Sequence, residues 1–287
     1  MYNFSKKLWP LLVVAGLIVG ACGGSPATNG AVNNAANNPT NNPTLAPTPT
    51  PLPTDADSLL TRAITSSAKI KSLHLSLQLS GTFDLSKLGN GASNGLSKLD
   101  GTTLTGDIDV TNKALDLKFN TPILKGLSGE IIVVNEILYY KTSLTGAKYK
   151  STSLANASLP LPSAKPGALA SLSLADGIAQ LRQSLTEAGV TVEMVGVEPI
   201  AGQDAYHFAL TLPLDKINTA LAGQSTKLKL TSAAADFWLY TKDLTMAQVV
   251  VKVVGAASNL SLILTLSNYD APVSITAPPA SQVTPGS

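Results

Sequence analysis

Charged and aromatic side chains are scarce in this chain of 287 residues. Charged residues make up 13% of it and aromatic residues 5%, whereas hydrophobic residues make up 44%. The chain contains one cysteine, Cys22, and two histidines, His74 and His207. A single cysteine excludes an intramolecular disulfide. One cysteine and two histidines also match no zinc-binding motif. We therefore expect aliphatic burial to supply most of the stability.

Neither the charge nor the motifs indicate nucleic-acid binding or catalysis. Residues 1–21 contain two lysines and no acidic residue, so their removal leaves 18 basic and 18 acidic side chains. A neutral chain without clustered lysine and arginine is not expected to bind nucleic acid. The chain also lacks a nucleophile elbow, a phosphate-binding loop and a zinc-binding helix motif. We expect no enzyme, no cofactor and no metal site; the alternative is a hydrolase whose triad is assembled from distant residues.

The N-terminal residues have the pattern of an export signal. Two lysines precede an apolar run at 8–19, which is shorter than the roughly 20 residues of a membrane-spanning helix. Residues 19–22, VGAC, resemble the lipobox of bacterial lipoproteins, in which the chain is cut before the cysteine and the cysteine is acylated. We expect a signal peptide at 1–21 and a lipid on Cys22, which would anchor the protein in the cell membrane on its extracytoplasmic face. The alternatives are a plain signal peptide and an uncleaved anchor helix.

A spacer of low complexity follows the cysteine. Residues 25–54 consist mainly of Asn, Pro, Thr and Ala and include seven prolines. This composition cannot form a packed core, and it favours extended polyproline II structure. We therefore expect residues 22–54 to be a disordered spacer that holds a folded domain away from the membrane.

Alternation of apolar and polar residues predicts a series of antiparallel strands. The predicted strands lie at 73–80, 104–110, 114–119, 130–134, 137–140, 191–197, 206–212, 236–241, 247–254 and 260–268, with a weaker candidate at 226–230. Residues 131–134 are apolar on both faces, so we expect this strand to be covered on both sides. A turn at residues 135 and 136 joins it to the next strand.

Three segments show helical periodicity. Apolar residues recur at helical spacing between residues 59 and 70, behind Asp55 or Asp57, either of which is a good N-cap. The other predicted helices lie at 168–188 and 215–222. The remaining segments are predicted to be a mobile loop at 84–103, an irregular stretch at 143–166 and a flexible tail at 279–287.

Elements in this order predict an α+β fold in which helices pack on one large antiparallel sheet. A sheet of this width should curl into a half-barrel, and helices over its concave face would enclose a hydrophobic cavity. We assign residues 55–278 to this domain. The residues expected to line the cavity are Leu75, Leu77, Ile108, Leu117, Phe119, Phe208, Leu210, Val251, Leu262 and Leu264. For any one of them ordinary core packing is the better explanation, and it is their number that indicates a cavity for acyl chains.

The polar residues of the predicted strands are given ordinary roles. His74 and His207 fall on polar strand faces, where we expect them to be surface or hydrogen-bonded residues. Asp107 and Asp109 share one strand face; a solvated outer face is expected there, and a carboxylate cation site is the alternative.

Four segments resemble the LppX/LprAFG family of bacterial lipoproteins. They are residues 72–75 (SLHL), 195–208 (VGVEPIAGQDAYHF), 236–240 (DFWLY) and 266–273 (LSNYDAPV). They follow a lipobox and a low-complexity spacer in the family's order, and the resemblance covers most of residues 55–278. The chain differs from better-known members in its long Asn/Pro/Thr spacer and in the Gly/Ser-rich segment 84–103.

The resemblance implies a fold similar to that of the lipoprotein carriers LolA and LolB, a half-barrel of antiparallel strands closed by helices around a hydrophobic cavity. It implies that the protein binds the acyl chains of a lipid or glycolipid as cargo and transports or chaperones it across the cell envelope. The implied partners are the membrane, through the lipid anchor, and an envelope transporter. The alternative function is a sensor module that binds a protein or peptide on the same scaffold.

Overall fold

One large sheet and two α-helices make up the described part of the chain. The computed structural model describes residues 55–84, 96–122, 126–154, 189–223, 229–256 and 258–285. The helices are α1 (Ala56–Ser67) and α2 (Leu214–Gly223). The strands are β1 (Ser72–Asp84), β2 (Leu96–Lys98), β3 (Thr102–Asp109), β4 (Ala114–Thr121), β5 (Leu127–Val134), β6 (Ile137–Thr142), β7 (Tyr149–Ser153), β8 (Thr191–Ile200), β9 (Gln203–Thr211), β10 (Leu230–Tyr240), β11 (Met246–Gly255), β12 (Ser258–Ser267) and β13 (Val283–Pro285).

The strands form a single open sheet in the order β13-β7-β6-β5-β4-β3-β1-β12-β11-β10-β9-β8, with β2 paired to the end of β1. Only the pairing of β13 with β7 is parallel among the described pairs. The two end strands, β13 and β8, are not paired with each other, so the sheet does not close into a barrel. The predicted α+β class, with a large, open and mainly antiparallel sheet of half-barrel type, is confirmed.

Local signals place α1 and the hairpin turns. The backbone N–H of Ser58 donates to Asp55 Oδ1 at 2.8 Å, so Asp55 is the N-cap of α1. This hydrogen bond lowers the pKa of the Asp55 carboxyl. Asn135 and Glu136 join β5 to β6 with φ values of 53° and 60°, as a two-residue hairpin with matching twist requires.

Burial agrees with the prediction for β5 as well. Ile132 and Val133 are 6% and 5% exposed, although neighbouring residues of a strand point to opposite faces. The strand is therefore covered on both sides. Residues 215–222, predicted as a helix, lie within α2, which begins at Leu214.

Three segments that lacked a strand pattern contain strands. β7 lies within the stretch predicted to be irregular, β2 lies within the predicted loop 84–103, and β13 lies in the predicted tail after a 3₁₀ turn at Ala280–Gln282. β7 has the sequence YKSTS, and its polar residues conceal the alternation by which strands are recognised. β13 ends in proline, which a sheet accepts at its edge. The helix predicted at 168–188 and most of the weak strand at 226–230 lie outside the described residues.

Candidate functional site

Cross-strand pairing gives the sheet one apolar face and one polar face. Residues directly opposite each other on neighbouring strands point to the same side. One row of partners crosses nine strands, from β9 to β6, and comprises Phe208, Phe237, Val249, Leu264, Leu77, Leu104, Phe119, Gly129 and Thr142. The adjacent row points to the other side and comprises His207, Trp238, Gln248, Thr265, Ser76, Thr105, Lys118, Glu130 and Lys141. We call the two sides the apolar face and the polar face.

Every residue predicted to line a cavity lies on the apolar face. Their burial differs with their position in the sheet. The buried members are Leu75, Leu117, Phe208, Val251, Leu262 and Leu264. The partly buried members are Leu77, Ile108, Phe119 and Leu210.

Helix α1 covers the apolar face at β9 and β10. Leu59 and Ala63 of α1 form one buried cluster with Phe208, Phe237 and neighbouring residues. The rings of Phe208 and Phe237 are stacked, with centroids 4.7 Å apart. Phe208 is fully buried, so this residue is enclosed between the sheet and the helix.

The apolar face at β1, β3 and β4 is only partly buried. Its residues surround a second buried cluster, centred on Leu75, Leu117 and Leu264, which contains no side chain of α1 or α2. Half-buried residues packed against this cluster include Leu77, Leu104, Ile108 and Leu115. Phe119, also half-buried, is the cross-strand partner of Leu104 on the same face. We call these five residues the candidate binding surface. An aliphatic surface of this kind suits acyl chains, which gain about 0.8 kcal/mol for each buried methylene group.

Two glycines shape this part of the apolar face. Gly106 lies between Leu75 and Leu117, and a Cβ atom there would be 1.9 Å from the backbone oxygen of Asp116. A Cβ atom on Gly129 would be 2.5 Å from the ring of Phe119, which therefore lies across that glycine. Glycine at both positions permits this close approach of the neighbouring strand or ring.

The described strand residues that form the central part of the apolar face have no charged side chain. Over the eight neighbouring strands from β10 to β6, no acidic, basic or amide side chain points to this face. Its polar groups there are hydroxyls, among them those of Thr102, Thr121 and Thr142. The first charge beyond these strands at the β7 edge is Lys150, which is paired with Tyr140.

Both histidines lie on the polar face and are hydrogen-bonded, which confirms the role predicted for them. His207 Nδ1 is 2.7 Å from Glu198 Oε1, and His207 Nε2 is 3.1 Å from Asp236 Oδ1. The His207 ring is also stacked on Trp238, with centroids 4.4 Å apart. These contacts join β8, β9 and β10 on the side away from the candidate binding surface.

One hydrogen-bonded group on the polar face is connected like a hydrolytic triad but has no oxyanion hole beside it. It consists of His74, Thr105 and Asp107. His74 Nδ1 is 2.7 Å from Asp107 Oδ1, and His74 Nε2 is 3.2 Å from Thr105 Oγ1. Both edges of β3 are paired, however, so backbone N–H groups near Thr105 belong to the sheet ladder and form no oxyanion hole. This arrangement supports a surface hydrogen-bond cluster.

The alternative cation site at Asp107 and Asp109 receives no support from the described residues. Asp107 contacts His74, whereas Asp109 accepts hydrogen bonds from the backbone and side-chain nitrogens of Asn112. No group of three or more His, Cys, Asp or Glu in the described ranges is placed to hold a metal ion.

Sequence reasoning missed a cluster of ionisable groups on the polar face. Tyr149 donates a short hydrogen bond to Glu130 Oε2, and Lys141 Nζ is 3.2 Å from the same oxygen. Burial would raise the pKa of Glu130, but the hydrogen bonds from Tyr149 and Lys141 and the nearby charges of Lys141 and Lys118 leave it lowered. Partners so far apart in sequence could be found only from the pairing of β4 to β7.

Asp116 lies beside this cluster and is poorly solvated. Its Oδ1 is buried and has no hydrogen-bond partner among the described residues. Burial, and then the charge of Glu130, raise the pKa of Asp116. Its directly paired neighbour on β5, Ile132, is also buried, so this part of the polar face is shielded from water.

The four segments that carry the family resemblance meet in two pairs. Residues 72–75 begin β1, and residues 266–273 complete its partner β12 and the turn after it. The backbone N–H of Lys71 donates to Asp270 Oδ1 at 2.7 Å, and Ser72 Oγ donates to the backbone oxygen of Ala271 at 2.6 Å. The other two segments supply β8, β9 and β10, where the His207 contacts lie.

The predicted lipid-attachment site, Cys22, lies outside the described residues, as do the signal peptide and the spacer. Among the helices that the structure describes, none combines the length and the hydrophobicity that crossing a membrane demands.

Several solved structures of bacterial proteins have a similar fold. The lipoprotein LppX from Mycobacterium tuberculosis is 14% identical; the match covers 77% of this chain and 100% of LppX, with a TM-score of 0.42. LprF from Mycobacterium bovis is 16% identical, with 78% and 96% covered and a TM-score of 0.44. A LolA superfamily protein from Nitrosomonas europaea is 11% identical, with 79% and 96% covered and a TM-score of 0.25. No protein-family model and no curated protein matches the chain. At these identities the likeness concerns the fold; the matches include two members of the family that the sequence motifs resemble.

Proposed function

We propose that this protein is a membrane-anchored lipoprotein that binds the acyl chains of a lipid on the apolar face of its sheet and carries them at the outer side of the cytoplasmic membrane. The observation that carries the proposal is the uncharged apolar face, which remains half-buried at Leu77, Leu104 and Phe119. Large apolar surfaces of this kind mark binding sites in soluble domains.

The energetics favour an acyl chain as the occupant. A lipid that buries a dozen methylene groups gains on the order of 10 kcal/mol before the entropy of binding is subtracted. No charged clamp is required for binding of that strength. A peptide ligand would bring backbone N–H and C=O groups, and the side chains that the described strands β10 to β6 direct to the apolar face offer only hydroxyl groups to pair with them.

Lipid retention by the full chain tests the proposal. The protein is purified from its own host in detergent, and bound lipid is measured by native mass spectrometry and by extraction. We expect discrete lipid adducts on the protein with its original sequence. Leu104→Lys places a charge on the candidate binding surface, so it should remove most of the adduct. Thr103→Lys, one residue earlier and on the polar face, is the matched control and should retain it.

A protein mass without lipid would contradict the proposal, provided that it persists after incubation with host lipid extract. Equal retention by the two lysine variants would contradict the assigned face. Recovery of a bound peptide or protein partner instead of lipid would favour a sensor module.

The anchor is tested separately, because it depends on Cys22 alone. We expect metabolically supplied palmitate to label the full chain and the protein to sediment with membranes. Cys22→Ser should lose both the label and the sedimentation. Labelling that persists in this variant would show that the lipid is attached elsewhere.

A further inference from the structure

The two end strands of the sheet differ in length and in their neighbours. β13, at one end, has three residues and finishes in Pro285. β8, at the other end, has ten residues and is paired with β9 alone among the described strands. Along its other side, the backbone N–H and C=O groups of β8 are not taken up by any described strand. An edge of this kind is a template to which another strand can add.

The edge of β8 is exposed to solvent. The exposed fractions of Val195 and Val197 are 56% and 54%. They exceed those of Ile137 and Val254, the other exposed large apolar residues of the described strands, which are 36% and 39%. Two exposed valines beside an unpaired backbone edge indicate a surface that another chain can cover.

A bulge in β8 brings two carboxylates to the same face of the sheet. Glu193 is paired with Ala209, and Glu198 is paired with Ala205. The two glutamates are five residues apart, and this odd spacing would place them on opposite faces of a regular strand. The bulge that follows Met194 adds one residue, so the paired alanines are only four residues apart and both glutamates lie on the polar face. A strand added to the outer edge would meet both carboxylates on that one face.

The charge of this edge indicates the chemistry of its partner. The Asp, Glu, Lys and Arg residues that β8, β9 and β10 contain are all acidic, namely Glu193, Glu198, Asp204 and Asp236. Glu198 and Asp236 also bond to His207, whereas Glu193 and Asp204 are exposed. Lysine or arginine side chains on the same face of an added strand would be attracted, and acidic side chains would be repelled.

A second copy of this chain fits the edge poorly. Antiparallel pairing of two β8 strands would form one continuous sheet with the glutamates of both copies on the same face, where like charges destabilise the pair. The bulge, and Pro199 with its missing N–H group, also interrupt a long regular ladder. A short segment needs only part of that ladder, and basic side chains turn the repulsion into an attraction.

We propose that the outer edge of β8 is a docking site for a short extended segment of another protein, which carries two basic residues four positions apart and apolar residues between them. Backbone hydrogen bonds join the segment to β8, and its basic side chains face Glu193 and Glu198. Four strands separate β8 from β1, where the candidate binding surface begins. This interaction therefore goes beyond the proposed lipid binding and does not depend on it.

Synthetic peptides test the docking site. The full chain in a non-ionic detergent is titrated into a fluorescein-labelled peptide of nine residues, in which valine and threonine surround two lysines four positions apart, and binding is followed by fluorescence anisotropy. One control peptide has the same composition with its lysines five positions apart, on opposite faces of a strand. A second control has glutamates in place of the lysines.

We expect the peptide with the spacing of four to bind about fivefold more tightly than the peptide with the spacing of five, because the latter loses one exposed ion pair. The glutamate peptide should not bind. Equal affinities for the two lysine peptides, binding of the glutamate peptide with similar strength, or no binding of any peptide would overturn the proposal.

Substitution and hydrogen exchange locate the site. Glu193→Gln removes the charge of an exposed side chain and keeps its shape, so it should weaken binding of the first peptide about fivefold. Glu136→Gln, in the exposed turn between β5 and β6, is the matched control and should leave the affinity unchanged. The bound peptide should also slow amide hydrogen exchange in residues 191–198, which an association through charge alone would not do. An affinity that is unchanged in Glu193→Gln, or binding without protection in β8, would overturn the assignment of the edge.

Discussion

Replacement of Phe208 by alanine should be among the most destabilising changes in the domain. The ring is fully buried, stacks on Phe237 and shares a buried cluster with Leu59 of α1. Phenylalanine-to-alanine changes in cores cost about 3–5 kcal/mol. We expect about 4 kcal/mol here, because the sheet lies on one side of the cavity and α1 on the other, so that the surroundings cannot easily collapse into it. A ring that lined an open cavity would cost less, since water or lipid would already contact it.

Urea denaturation of the chain that begins at residue 22, with Cys22→Ser to prevent acylation, measures this loss. Leu59→Ala and the double variant complete a cycle, and we expect a coupling of about 1–2 kcal/mol because both side chains border the same cavity. Thr211→Ala, an exposed change in the same strand, is the control and should stay within about 0.5 kcal/mol. A loss below about 1 kcal/mol for Phe208→Ala, or no coupling to Leu59→Ala, would refute the packing of α1 on this face.

Two further predictions concern the polar face. Tyr149→Phe removes the hydroxyl that bonds to Glu130, and we expect a loss of about 1.5–3 kcal/mol at neutral pH by urea denaturation. The pKa of Glu130 is lowered in the folded protein, so its carboxylate stabilises the fold above the unfolded pKa, and this stabilisation is lost as the pH falls through the folded pKa. If Tyr149→Phe lost the same free energy of unfolding at pH 2 as at pH 7, the assignment of this hydrogen bond would be contradicted. Asp116→Asn should raise stability by about 1 kcal/mol at pH 7, since it removes the charge from a buried oxygen that has no described partner. The pKa of Asp116 is raised in the folded protein, so the wild type loses stability as the pH rises from the unfolded pKa of Asp116 through its folded pKa. A gain in stability of Asp116→Asn that persists below pH 3 would show a different cause.

The sequence predicted the apolar face well because alternation is a local signal. Each leucine of β1, β4 and β12 could be assigned to a face from its own strand, and the antiparallel register then joined those faces. The same signal is absent from β7, which is short and polar, and from β13, where no alternation precedes the proline. These two strands were missed because their pairing depends on distant residues.

Contacts among distant residues account for the other differences. Nothing in the local sequence links Tyr149 to Glu130, or Asp116 to a buried neighbour, until β4 to β7 are placed side by side. The different burial of Phe208 and Phe119 also depends on contacts between residues that are distant in sequence. Both were predicted to line a cavity, but α1 packs only over the end of the sheet that contains Phe208.

Photochemical crosslinking with a lipid that carries a diazirine in its acyl chain tests the central claim most directly. The purified full chain is irradiated with this lipid, and the modified residues are mapped by mass spectrometry. Acyl binding on the apolar face predicts modification at Leu77, Leu104 and Phe119 and none at their polar-face neighbours Ser76, Thr105 and Lys118. Modification of the polar face, or of neither face, would contradict it.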